Sequence, residues 1–364
     1  MIPVYRPSIG DLEKKYVSEA MDSGWVSSKG AFLDRFEKDF AAYLGVANGV
    51  SAANGTLALH LAFAALGIGA GDEVIVPTLT YVASVNAITY TGATPVFVDS
   101  EPTYWNLDPA LVERAITPRT KAIEVVHLYG HPADMDPILE IAARHDLLVV
   151  EDAAESHGAK YKGRRVGAMG ATSAFSFFGN KIITTGEGGM VVTNDNDVAA
   201  TARHMRGQGV SPTRTYWHDI IGFNYRLTNI AAAIGCAQLE RIDETLAAKR
   251  TIAGWYRRNL EGVEGVTLQS EASWATCVFW MNCILVAPEL RDPLIAHLAG
   301  VGIETRPFFY PAHTLPMYRT SASFPIAERL GASGINLPSY AALEEDQVVE
   351  VCAAVRRFLE THRA

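Results

Sequence analysis

Three short segments carry residue types that could act together on one small molecule. Asn54-Gly55-Thr56 stands just ahead of an apolar helical pattern (Leu57, His60, Leu61, Ala64). Free backbone N–H groups and a hydroxyl gather at such a helix start, which makes it a fitting seat for a phosphate. Glu151-Asp152 ends a run of strand length, and Lys181 follows Phe175-Ser176-Phe177-Phe178-Gly179-Asn180. A phosphate seat, a carboxylate and a lysine suit pyridoxal phosphate. The lysine bonds to the aldehyde and must be partly dehydrated to serve as amine and base. The carboxylate pairs with the pyridinium nitrogen, so that the ring can accept electrons from a carbanion. Tyr81, after another strand, is placed to cover one ring face. Catalytic roles are therefore expected at Lys181 and Asp152.

Each piece also has a plainer reading. Gly55-Thr56 could be a simple helix cap, Asp152 a strand-end cap and Lys181 a solvated loop lysine. Bulky apolar residues and Gly186-Glu187-Gly188-Gly189 flank Lys181 tightly, which speaks against the last of these. Two glycine patterns are decoys. Gly67-x-Gly69-x-Gly71 follows a helix and precedes a strand, the reverse of the dinucleotide fingerprint, and Gly179-Asn180-Lys181 lacks the earlier glycine of a P-loop.

The elements that must position these residues alternate. Runs at 73–77, 94–99, 122–128 and 147–151 read as strands, with helical stretches at 84–90, 109–116 and 137–145 between them. Strands apolar on both faces, alternating with helices, predict a mainly parallel sheet covered on both sides. In such a sheet ligands sit beyond the carboxyl ends of the strands, where Asp152 and Lys181 can converge. Ahead of this region, Ser8-Ile9-Gly10-Asp11 reads as a capping box for a first helix. Two more strands follow at 174–178 and 189–193, then a helix near 198–206 and a loop, 207–226, rich in Gly, Pro and aromatics. A long helical pattern from about 228 to 260, with a break expected near Gly254, leads into strand-like 278–286 and 303–309 and helical 291–298 and 345–362. The expected division is a large α/β domain at 1–245, whose N-terminal segment packs on the other unit, and a small α+β domain at 246–364.

Composition narrows the partners. Thirty-one Lys and Arg against 40 Asp and Glu give a formal charge of −9, a global field that disfavours nucleic acid or an acidic membrane as the main partner. The four cysteines form no CxxC pair, so no metal site is expected and a reducing cytoplasm is the natural setting. No signal peptide or membrane-spanning run is read.

The lysine segment, Ser176-Phe177-Phe178-Gly179-Asn180-Lys181 with Thr184-Thr185-Gly186-Glu187-Gly188-Gly189, resembles the signature of the DegT/DnrJ/EryC1/StrS sugar aminotransferases. The resemblance extends to Trp25-Val26-Ser27-Ser28-Lys29-Gly30, Asn54-Gly55-Thr56, Glu151-Asp152-Ala153-Ala154-Glu155 and Gly222-Phe223-Asn224-Tyr225-Arg226, and so covers nearly the whole chain. It implies a fold-type I, aspartate aminotransferase-like enzyme dependent on pyridoxal 5'-phosphate, a homodimer with sites at the subunit interface. Residue by residue, Lys181 matches the lysine that bonds to the cofactor, Asp152 the pyridinium partner and Glu155 the group facing its phenolic oxygen. Gly55, Thr56 and Ser176 match phosphate contacts, Tyr81 the stacking aromatic, and Asn224 a phosphate contact supplied by the other subunit. His157 is read as a packed histidine beside the site.

Trp25, Ser27 and Lys29 lie in a segment similar to the one that reaches toward the sugar nucleotide, and Arg306, Tyr310 and His313 in a similar small-domain segment. The implied reaction moves an amino group from L-glutamate to C4 of a nucleotide-linked 4-keto-6-deoxyhexose. His127-Leu128-Tyr129-Gly130, Arg206-Gly207-Gln208-Gly209, Tyr216-Trp217 and Asn336-Leu337-Pro338 are most similar to members whose acceptor is GDP-4-keto-6-deoxymannose. UDP- or dTDP-linked keto sugars are the alternative acceptors. A dehydratase branch carries histidine in place of the lysine, so Lys181 speaks against it. A silent, sugar-nucleotide-sensing homologue is the reading from another class, and intact Lys181, Asp152 and Thr56 weigh against that one.

Overall fold

Seven strands form the central sheet of the computed structural model, which describes residues 1–362. In chain order the first five are β1 (Asn48–Ala52), β2 (Glu73–Pro77), β3 (Thr94–Val98), β4 (Thr120–Val126) and β5 (Leu148–Asp152). Two more, Thr172–Ser176 and Gly189–Thr193, complete it, and the spatial order is β1, Gly189–Thr193, Thr172–Ser176, β5, β4, β2, β3. The pairings of β2, β3, β4, β5 and Thr172–Ser176 with one another are parallel, while Gly189–Thr193 and β1 close one side antiparallel. This is a mixed α/β architecture with a mainly parallel centre, as the alternating pattern predicts.

Alternation along β4 sorts its side chains into two layers. Ala122 packs in the cluster shared with helices α3 (Gly55–Ala65) and α4 (Val82–Tyr90), whereas Ile123 and Val125 pack toward the helix Met135–Arg144. Asp152 and Val150 of β5 lie in the α4 layer, opposite Val126 and Glu124. Glu151, one residue back, points the other way. It accepts hydrogen bonds from the backbone N–H groups of Gly167, Met169 and Gly170 and pairs with His127 at 3.1 Å. Burial raises its proton affinity, but these partners outweigh burial and hold it below the ordinary glutamate range. Glu151 thus anchors a loop, while its neighbour Asp152 looks toward the cleft.

A second sheet of four short strands, Thr267–Leu268, Asn282–Leu285, Gly334–Leu337 and Arg306–Pro307, packs under the helices Ile242–Leu260, Pro288–Gly300 and Glu345–Thr361. Ile2 forms an isolated parallel bridge with Ile303, which ties the N-terminal end of the chain to this unit. Among the described residues no helix is long and apolar enough to cross a membrane.

Some boundaries differ from expectation. The first helix (α1, Asp11–Asp22) begins at Asp11, and the backbone N–H of Gly10 donates to Glu13 at 2.7 Å, so Gly10 and Glu13, not Ser8 and Asp11, form its start. The long helical pattern breaks at Arg241, giving Asn229–Glu240 and Ile242–Leu260. Gly254 lies inside the second helix with open space around it, so nothing there forces a bend. The helix Ala31–Leu44 (α2), the edge strand β1 and the helix Pro325–Ser333 were not read from the sequence.

Glu124 is fully buried in the α4 layer, and neither of its carboxyl oxygens has a hydrogen-bond partner. Burial, then the charge of Asp152, pushes its proton affinity well above the ordinary value near 4.5. The folded state therefore holds a proton that the unfolded chain releases, so stability from this group is present below about pH 4.5 and declines as pH rises above it. Glu124→Gln, an isostere of the protonated acid, should unfold at a higher temperature than the wild type at pH 8, with the gap closing toward pH 5. A gap that does not vary with pH in thermal melts of the apoenzyme would show that Glu124 does not titrate this way.

Candidate active site

Helix α3 begins at the carboxyl edge of the sheet because Asn54 caps it, its side chain accepting from the Leu57 N–H at 3.0 Å. Gly55 is required there: a Cβ would stand 2.6 Å from the Cβ of Ser176. The bare backbone leaves a cradle between the helix start and Ser176, with Thr56 half-buried at its side. Gly189 has a similar reason, since a Cβ would meet the carbonyl oxygen of Asn54 at 2.3 Å.

Asp152 ends β5 and is buried, with its carboxylate oriented from two sides. Ser84 Oγ of α4 donates to one oxygen at 2.8 Å and the Ala154 N–H to the other at 3.1 Å. Burial raises its proton affinity, and those two bonds, together with the charge of Lys181, oppose the rise. Lys181 lies in the turn after Thr172–Ser176, its N–H bonded to the Phe178 carbonyl and its side chain 13% exposed. Burial lowers its proton affinity, and the charges of Glu155 and Asp152 oppose that fall. Glu155 Oε1 stands 3.8 Å from Lys181 Nζ, and burial raises the Glu155 carboxyl to about 7.

These groups open on one cleft with about 520 Å³ of room. Gly55, Thr56, Tyr81, Asp152, Glu155, Ser176, Lys181 and Arg306 all line it. Tyr81 is 58% exposed at its mouth, with its ring 5.5 Å from that of Phe309. Two buried carboxylates beside one amine, facing a cradle of backbone N–H groups, form a donor set suited to a cationic ring bearing a phosphate. Residues and cofactor fit.

Other expected residues lie elsewhere. Asn224 is exposed outside the lining of this chain's cleft, its side-chain oxygen held by the Arg226 guanidinium at 2.8 Å. Trp25, Ser27 and Lys29 are exposed and also outside it; the carbonyls of Trp25 and Ser27 accept from Asn229. Tyr310 is exposed at 58% and does not line the cleft. His313 is buried, hydrogen-bonded to Thr78 Oγ1 at 2.7 Å and 3.3 Å from Glu328, so its ring is occupied in joining segments rather than turned to the cleft. His157 is fully buried among Phe40, Phe175 and Phe177, and burial pushes its proton affinity down to about 3, so it stays neutral.

Sequence reasoning gave no site role to Asn180, Glu187, Trp280, Met281 or Asn336, which also line the walls. Trp280 and Met281 precede a small-sheet strand about a hundred residues after Lys181, and no local spacing signals that approach.

The DegT/DnrJ/EryC1/StrS aminotransferase family model matches residues 7–356. The chain belongs to this family. It is 54% identical over 359 residues to the GDP-perosamine synthase of Escherichia coli O157:H7, covering 98% of each chain. It is 54% identical over 364 residues to the GDP-perosamine synthase of Caulobacter vibrioides, again covering 98% of each. Among solved structures it resembles DesV of S. venezuelae, described as a complex with a ketimine intermediate, at a TM-score of 0.91 and 39% identity, covering 99% of this chain and 100% of that one. As a member of the family the chain is a pyridoxal 5'-phosphate-dependent transaminase of fold type I.

Proposed function

We propose that this aminotransferase moves an amino group from L-glutamate to C4 of GDP-4-keto-6-deoxymannose, producing GDP-perosamine for a surface polysaccharide such as O-antigen. The observation that carries the reading is the full-length 54% identity to two GDP-perosamine synthases. A panel of GDP-, UDP- and dTDP-linked 4-keto-6-deoxyhexoses, assayed with glutamate, tests it. Turnover should be highest with the GDP-mannose-derived ketone, and a preference for a dTDP or UDP sugar would overturn the assignment.

When bound, pyridoxal 5'-phosphate supplies the aldehyde that takes up the amino group and a ring that accepts the electron pair left by a departing proton. Gly55, Thr56 and Ser176 would hold its phosphate, Tyr81 would cover its ring, Asp152 would face its nitrogen and Glu155 its phenolic oxygen. Lys181 would hold the aldehyde carbon at rest. Once displaced by the amino donor, Lys181 has the lowered proton affinity a base requires and moves the proton from the donor's α-carbon. The same amine returns a proton when the sugar ketone is aminated, so one residue serves both halves of the reaction. Arg306, at the open edge of the cleft, is placed to meet the anionic nucleotide.

The working unit in this reading is a cytoplasmic homodimer. Loop 207–226 carries Tyr216 and Ile221, each more than nine-tenths exposed, and Trp217 beside them, an apolar set suited to a partner. Asn224 lies at the base of that loop and serves the other subunit's site. In a two-fold dimer such a loop reaches the partner reciprocally. Lys181→Ala and Asn224→Ala, each inactive or nearly so alone, should therefore complement when unfolded and refolded together. Random pairing makes about half the dimers mixed, each with one intact site, so activity should return to roughly a quarter of wild type. No recovery, with mixed dimers confirmed by a tag on one subunit, would place Asn224 in its own chain's site or outside any.

A further inference from the structure

The ammonium of Lys181 has a neighbour that no motif announces. Its Nζ lies 4.1 Å from the centroid of the Trp280 ring. The nearest charged group, Glu155, is 3.8 Å away, beyond hydrogen-bond range, so the carboxylate attracts the amine without fixing its direction. The indole face supplies the missing constraint, because a cation is drawn to the centre of an aromatic face.

Trp280 is itself held from several sides, and only 5% of it is exposed. Its indole N–H donates to the carbonyl of Asn180, the residue before Lys181, at 2.7 Å, which ties the ring to the lysine's own turn. Its backbone carbonyl accepts from Lys249 Nζ at 2.7 Å. Lys249, on the helix Ile242–Leu260, is buried and also donates to the Ser339 carbonyl, and burial pulls its proton affinity down to about 7. A buried lysine spent on two backbone carbonyls is a costly tether, and it secures the segment that carries the indole. Tyr129 lies nearly parallel to the indole, 6.2 Å away at 12°. Close approach has shaped the backbone as well. Phe279, immediately before Trp280, is left-handed at φ +47°, and a Cβ on Gly130 would meet the Trp280 nitrogen at 2.8 Å.

We infer that Trp280 is a positioning residue for Lys181, its indole face holding the free amine in line with the cleft whenever the amine is not bonded to the cofactor. The inference rests on the assignment of Lys181 as the residue that bonds to the cofactor. The small-sheet unit therefore contributes more than a wall: through Lys249 and Trp280 it sets where the amine points.

The test uses the apoenzyme and two probes. Pyridoxal 5'-phosphate condenses with the lysine amine, releasing one water, and borohydride then fixes the bond for mass mapping. Pyridoxamine 5'-phosphate has no aldehyde, so its affinity reports the seat without the lysine. Trp280→Leu, which keeps apolar bulk but removes the ring face, should slow covalent capture roughly tenfold. Trp280→Phe, which keeps a face, should stay within about threefold of wild type. Pyridoxamine phosphate affinity should be the same in all three proteins. In the loaded enzyme the loss should fall on kcat rather than on KM for glutamate. Capture by the Leu variant at the wild-type rate would overturn the inference, as would a Phe variant no better than Leu. Equal losses of capture and pyridoxamine phosphate affinity would reduce Trp280 to a packing residue. Should Trp280→Leu not fold, Trp280→Met takes its place with the same expectations. Borohydride labelling at a site other than Lys181 in the wild type would instead sink the assignment of Lys181, and the two failures are told apart by the mapped residue.

Discussion

Lys181→Ala should abolish turnover while leaving a folded protein that still binds pyridoxal 5'-phosphate, now without a covalent bond. The two consequences separate because they rest on different parts of the cleft. The cradle between Gly55 and Ser176, the capped start of α3 and the Asp152 carboxylate do not depend on the lysine for their geometry, since their hydrogen bonds run to Leu57, Ser84 and Ala154. Lys181 makes no ion pair closer than the 3.8 Å approach to Glu155, so its removal strands no tightly bonded partner. Losing the amine also leaves Glu155 without the charge that opposes its burial, and its carboxyl should stay protonated to higher pH than in wild type. The chemistry, by contrast, has no substitute. Trp280 and Phe178, which also line the cleft, offer no base, and an amine in a partly dehydrated position cannot be replaced by water at comparable rate. Borohydride should fix no cofactor to the variant, and single-turnover reaction with glutamate should show no transfer. Substantial remaining turnover in purified protein would remove Lys181 from its role.

The contrast between Lys181 and Trp280 shows what a sequence can disclose. Lys181, Asp152 and Gly55 were legible because each sits where an element ends, and apolar strands or a helical pattern mark those ends. Asp152 and Glu151 illustrate the limit within one pair: both are buried acids, and only the pleat decides that Glu151 anchors a loop while Asp152 faces the cleft. Trp280 and Met281 reach the same cleft from the second unit, and nothing in local spacing reports a contact made by the chain's return. β1 was hidden for another reason. Asn48-Gly49-Val50-Ser51-Ala52 has little β-branched character, and it is held as a strand by its antiparallel register with Gly189–Thr193 rather than by its own propensity. The glycine series Gly67 and Gly71, dismissed as a nucleotide motif, has a local explanation: both adopt positive φ (+75° and +96°) in the turn between α3 and β2. Asn224, Trp25, Ser27 and Lys29 stay outside the cleft of this chain, so the fold of one chain does not bring them to the residues they were expected to join.

Asp152→Asn should slow proton removal from glutamate on the order of 10²–10³-fold, the usual cost of losing one preorganised charged partner in a water-poor site. The substitution is close to isosteric. Its amide oxygen can keep the Ala154 N–H bond, and Ser84 Oγ, which now donates to Oδ2, can turn and accept from the amide nitrogen, with Thr80 Oγ1 at 2.8 Å taking the freed hydroxyl proton. Packing and fold should therefore survive, and the loss isolates the charge. An amide cannot keep a proton on a facing ring nitrogen, so the ring becomes a poorer electron acceptor. The ordering of effects is specific. Reaction with glutamate should suffer most, affinity for the nucleotide sugar should be unchanged because Arg306 and the open edge of the cleft are untouched, and Asp152→Glu should recover little, since a longer side chain loses both orienting bonds. Stopped-flow measurement of the glutamate half-reaction, alongside calorimetric binding of GDP, separates these quantities. An unchanged half-reaction rate would mean that a group other than Asp152 keeps the ring nitrogen protonated.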